Sequence, residues 1–90
     1  MAISEAEVRP LAQDVKVSDS ELIVQLIDGR QVSVPLVWYP KLLHASPEQR
    51  RSWELLGDGE GIHWPDVDED LSVSGLLRGI PAVEVRRKSA

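Results

Sequence analysis

Between Glu60 and Asp70 the chain sets Glu60, His63, Asp66, Asp68, Glu69 and Asp70, one imidazole and five carboxylates within eleven residues. Oxygen donors at that density suit hard cations such as calcium, magnesium or manganese, so a Glu60-His63-Asp66-Asp68 cluster defines one reading, a small metal-dependent enzyme or metal-binding protein. The spacing argues against it. Asp66, Asp68 and Asp70 alternate as in an EF-hand loop but lack its central glycine, and His63 has no second histidine at helical spacing. Asp68, Glu69 and Asp70 also stand just ahead of an expected helix start, where the helix dipole favours negative charge without any ion. No metal and no cofactor is expected.

Other chemistries lack their parts. Gly57-Asp58-Gly59-Glu60-Gly61 interleaves carboxylates where a phosphate-cradling loop needs backbone N–H groups and cations, so turns explain its glycines. The serines fall where turns and caps are needed, no Gly-x-Ser-x-Gly elbow occurs, and only His44 and His63 could serve as a base. The balance leans away from an enzyme. The aromatic residues point elsewhere. Phenylalanine is absent, and the tryptophans are Trp38, Trp53 and Trp64, with Tyr39 beside the first. Trp53 reads as core. The pairs Trp38-Tyr39 and His63-Trp64, flanked by Pro40 and Pro65, read as partly exposed edges of the kind enriched in interface hot spots. With Glu60, His63, Asp66 and Asp68 they make a candidate partner-binding surface: Trp38, Tyr39, Glu60, His63, Trp64, Asp66 and Asp68.

Ninety residues make one domain, whose core is small because so short a chain buries only roughly 60–65% of its unfolded surface. Without cysteine, packing must stabilise it alone. The formal charge of −5 disfavours a nucleic-acid partner, and the signs are segregated, with seven carboxylates and no Lys or Arg between Ser52 and Leu77. The basic Arg86-Arg87-Lys88 is too short for more than weak phosphate contact. The polar start lacks a signal peptide's basic and apolar regions, and no apolar run reaches membrane-spanning length, so the expectation is a cytoplasmic protein with no membrane partner.

The elements that must position these residues follow from pattern. From Asp14 to Leu36 the alternation of Val15 and Val17, then Leu22, Val24 and Leu26, then Val32, Val34 and Leu36 predicts antiparallel strands. A three-residue Ile27-Asp28-Gly29 turn with Gly29 left-handed sets Val24 opposite Val32 and Leu22 opposite Val34, with every matched apolar residue on one face. Pro40 opens a brief helix through Leu42 and Leu43. Ser46-Pro47-Glu48-Gln49 carries a capping box and predicts a second helix from Pro47 to Glu54. Ile62-His63-Trp64 is a short extended segment, and Ser72 and Gly79 bracket a last helix from Val73 to Arg78. Residues 82–85 are an optional strand. The expected organisation is one α+β domain over residues 1–81, a small antiparallel sheet (hairpin or meander) packed on two or three short helices, followed by a basic tail at 82–90.

Three stretches carry a resemblance. Val32-Ser33-Val34-Pro35-Leu36-Val37-Trp38-Tyr39-Pro40-Lys41-Leu42, then Ala45-Ser46-Pro47-Glu48-Gln49-Arg50, then Gly59-Glu60-Gly61-Ile62-His63-Trp64-Pro65-Asp66-Val67-Asp68-Glu69-Asp70-Leu71-Ser72-Val73 with Gly75-Leu76-Leu77 closely resemble the bacterial domain-of-unknown-function family 2442. The resemblance covers about Val15 to Gly79. It implies a small α+β domain with no established catalytic activity, often encoded beside a second small protein family in an arrangement similar to a toxin–antitoxin pair. Some longer relatives append a helix-turn-helix, which this chain, ending soon after the motif, is expected to lack.

The expectation is therefore a non-enzymatic protein-interaction module, the antitoxin-like or adaptor half of a two-protein bacterial system. Its partner would be another small protein encoded nearby, and a second copy of the chain stays open.

Overall fold

The computed structural model describes residues 10–79. Three strands, β1 (Ala12–Val17), β2 (Glu21–Leu26) and β3 (Gln31–Pro35), form an antiparallel meander in that order. The β2–β3 register is the expected one, Leu22 opposite Val34 and Val24 opposite Val32. Its turn holds Gly29 at φ +99° and closes with Leu26 N–H donating to the Arg30 carbonyl at 2.8 Å. A bulge between Ala12 and Asp14 sets Ala12 and Val15, three residues apart, on the same buried side.

A 3-10 turn (Leu36–Trp38) leads into α1 (Pro40–Leu43) and α2 (Pro47–Arg51). The capping box at α2 is complete: the Ser46 hydroxyl accepts from Gln49 N–H and the Gln49 side chain accepts from Ser46 N–H. This helix stops at Arg51, short of the expected Glu54. Its residues bury no side chain, and Ser52 turns back, donating N–H to the Gln49 carbonyl and its hydroxyl to the Glu48 carbonyl. Trp53 lies past the helix, partly buried against the core.

A second antiparallel sheet follows: β4 (Glu54–Leu56), β5 (Gly61–Trp64) and β6 (Glu69–Ser72), with β5 central. Only its middle strand was expected. β6 was masked by its acids, since Asp68, Glu69 and Asp70 suit a helix approach equally well; Glu69 instead pairs with Trp64 and Asp70 with His63. Helix α3 (Val73–Arg78) begins on a Ser72 cap and ends at a left-handed Gly79, as expected. The α+β class holds, with two small sheets where one was foreseen.

A backbone bond joins the two sheets, Ala12 N–H donating to the Gly59 carbonyl at 2.7 Å, and Val73 N–H donates to the Glu60 carbonyl at 2.9 Å, tying the start of α3 to the β4–β5 turn. Gly59, at φ +108°, approaches so closely that a Cβ there would lie 2.5 Å from the Ala12 oxygen. One apolar cluster fills the space between: Leu22, Val24, Leu26 and Val34 from the first sheet, Leu36, Tyr39 and Leu42 from the connection, Ile62 and Trp64 from the second sheet, and Val73 and Leu76 from α3. The expected boundary at 81, the optional strand at 82–85 and the basic tail lie outside the described residues.

Candidate functional site

Alternation along β5 sorts the second sheet into two faces. Ile62 and Trp64 turn inward with Leu55, Glu69 and Leu71, while the outer face carries two cross-strand rows, Glu54–His63–Asp70 and Leu56–Gly61–Ser72. The β4–β5 turn adds Asp58 and Glu60 at one end of this sheet, and the β5–β6 turn adds Asp66 and Asp68 at the other. All six of Glu54, Asp58, Glu60, Asp66, Asp68 and Asp70 are exposed.

His63 sits in the middle. Its Nδ1 hydrogen-bonds the Asp70 carboxylate, which raises its pKa above the ordinary imidazole value; partial burial opposes the shift, and the charges of Asp70, Glu54 and Asp68 add to it. In the neutral ring Nδ1 donates to Asp70, which leaves Nε2 as the acceptor. Beside this row lies a shallow depression of about 560 Å³, lined by Leu56, Gly57, Glu60, Gly61, Asp70, Leu71 and Ser72. Gly61 between Leu56 and Ser72 contributes no side chain and is buried, with Leu56 lying against it and 42% exposed.

Behind the sheet, Glu69 is buried among apolar residues, and that desolvation raises its pKa despite the Lys41 ammonium 3.9 Å away. Lys41 also donates to the Asp68 carbonyl at 3.0 Å, which holds the turn where Asp68 takes φ +56°. The Tyr39 hydroxyl is buried without a hydrogen-bond partner among the described residues; burial and the nearby Glu69 charge push its pKa up to about 12.

Two members of the expected partner surface are thereby corrected. Tyr39 is 1% and Trp64 0% exposed, so both are core. An adjacent proline does not expose Trp64, because strand alternation turns it inward, where its indole N–H donates to the Arg50 carbonyl at 3.0 Å. Tyr39 caps the 3-10 turn, its N–H donating to the Leu36 carbonyl, and packs inward. Trp38 is half-buried, meeting the Tyr39 ring edge-on at 6.4 Å. Glu60, Asp66 and Asp68 are exposed and His63 is partly so. The strand and two turns distribute Glu60, His63, Asp66 and Asp68 along the sheet, and among the described residues no three His, Asp or Glu side chains converge to hold a metal ion. Glu54, Leu56 and Asp70 join the site only through the register; the acidic run held Asp70 in view, but nothing local marks which carboxylates flank His63.

The family described as "Protein of unknown function (DUF2442)" matches residues 12–82. The chain belongs to that family. A crystal structure of a protein of unknown function from Rhodospirillum rubrum ATCC 11170 is 34% identical to this chain, with a TM-score of 0.72 over 86% of this chain and 95% of that one. A solution NMR structure of an uncharacterised protein from Chromobacterium violaceum is 27% identical, with a TM-score of 0.65 over 89% of this chain and 70% of that one. Comparison with curated proteins found no match. Among the described residues of this DUF2442 member, no helix is long and apolar enough to cross a membrane.

Proposed function

We propose that this chain is a cytoplasmic, non-enzymatic interaction module, the antitoxin-like or adaptor half of a two-protein system, which covers a basic partner with the outer face of its second sheet. One observation carries the reading. Six exposed carboxylates follow that sheet from one turn to the other, and among the described residues no Lys or Arg side chain forms an ion pair with Glu54, Asp58, Asp66, Asp68 or Asp70. Like charge along Glu54, Asp58, Asp66 and Asp68 carries a self-repulsion that a cationic surface relieves, and it speeds encounter with such a surface.

Co-expression with the product of the neighbouring gene tests this. A stable complex that weakens with added salt, and weakens again when Glu54→Gln, Asp66→Asn and Asp68→Asn are combined, is the expected result. A complex indifferent to both, or no complex, would contradict it. Asn tolerates the left-handed backbone at position 68, so the triple variant should fold.

A further inference from the structure

The outer face of the second sheet is not uniformly acidic. Leu56, on the edge strand, is 42% exposed beside Gly61, and the depression they share is closed at one side by Ser72 and Asp70 of β6. Leu56 adds an apolar wall at the edge of this acidic face. A ligand with an aliphatic stem and a cationic head uses both parts: methylenes lie along Leu56, and the head reaches the Asp70 carboxylate. Gly61 is buried beneath Leu56, a Cβ there standing 3.3 Å from both Leu56 Cδ1 and the Leu71 carbonyl, and Gly57 and Glu60 complete the lining.

We infer that this depression is a socket for a single lysine or arginine side chain of the basic partner, with Leu56 receiving the stem and Asp70 the charge. This rests on the interaction-module reading and deepens it. His63 tunes the socket: it holds one Asp70 oxygen through Nδ1, and Glu54 of β4 and Asp68 of the adjoining turn are the other charged groups acting on it. With His63 neutral the pair is anionic; once His63 is protonated the pair is neutral and attracts a cation less.

The test is amide chemical-shift mapping on the full-length ¹⁵N-labelled protein, titrated with N-acetyl-argininamide and N-acetyl-lysinamide, and with the citrulline and norleucine analogues as uncharged controls. Saturable shifts at Gly57, Gly61, Asp70 and Ser72 with the two cations and not with the controls are expected. Asp70→Asn and, separately, Leu56→Ser should each weaken the apparent affinity about three- to fivefold while the spectrum stays dispersed. Equal shifts from citrulline or norleucine would overturn the socket, as would charge-dependent shifts at Asp58, Asp66 and Asp68 with none at Gly61 and Ser72; that second pattern would leave the acidic-surface reading standing. No charge-dependent shift anywhere would remove both.

Discussion

The indole N–H of Trp64 donates to the backbone carbonyl of Arg50 at 3.0 Å, and the guanidinium of that same Arg50 donates to the Leu42 and Leu43 carbonyls at 3.0 and 2.8 Å. One residue thus ties the central strand of the second sheet to the end of α1. Its third arm reaches Asp19, in the β1–β2 connection, at 3.0 Å. Trp64 works as a keystone of the fold, which is why the partner surface has to be sought on the other side of its strand.

Trp64→Phe keeps an aromatic ring but removes the donor to the partly buried Arg50 carbonyl and leaves a space unfilled. A loss of about 1–3 kcal/mol is expected from the denaturant midpoint at unchanged slope. Trp64→Ala should remove about 3–5 kcal/mol, comparable with the whole stability of so small a domain.

Arg50→Lys retains charge and stem but cannot bond the Leu42 and Leu43 carbonyls and Asp19 together with a planar fork. It should cost about 1–2 kcal/mol in equilibrium unfolding. A Lys variant as stable as the parent would show that charge alone suffices.

Glycines 29 and 59 separate two physical effects. Both have positive φ, but a Cβ at Gly29 meets nothing within 4 Å whereas one at Gly59 runs into the Ala12 backbone. Gly29→Ala should therefore cost only the backbone strain, about 1–2 kcal/mol, and Gly59→Ala should cost at least about 3 kcal/mol because the inter-sheet bond is lost as well. Thermal melts of the two variants side by side decide it.

Two groups should each make stability fall as pH rises, in different pH ranges. Glu69 has its folded pKa raised by burial, so its ionisation opposes folding; its contribution falls as pH rises from the ordinary glutamate range, and Glu69→Gln should abolish that fall. His63 also has a raised folded pKa, through Asp70, so its contribution is fully present below the ordinary imidazole pKa and is lost as pH rises through the folded value. The melting-temperature difference between the parent and Asp70→Asn should accordingly shrink from pH 5.5 to pH 8.5.

Local signals were legible in the chain wherever one residue type decides one conformation. Gly29 set the turn length and hence the β2–β3 register, Ser46 and Gln49 the capping box, and Ser72 and Gly79 both ends of α3. What escaped was pairing between segments. β4 and β6 are three and four residues long, too short for alternation to register, and they become strands only because β5 lies between them. The same blindness misplaced Tyr39 and Trp64. Their neighbours in sequence are Trp38, His63 and two prolines, but their neighbours in space are core, and no local pattern distinguishes a tryptophan that faces a partner from one that faces the first sheet. The acidic character of the surface was visible from composition, whereas its arrangement around His63 required the register.

The most direct measurement is titration calorimetry of this protein against the product of the neighbouring gene, at two salt concentrations, with the parent and with a variant combining Glu54→Gln, Asp66→Asn, Asp68→Asn and Asp70→Asn. The account predicts binding that weakens at least about tenfold in the variant and loses most of its salt dependence, with the fold intact by circular dichroism. Unaltered affinity and salt dependence in a folded variant would contradict the assignment of the partner surface to the outer face of the second sheet.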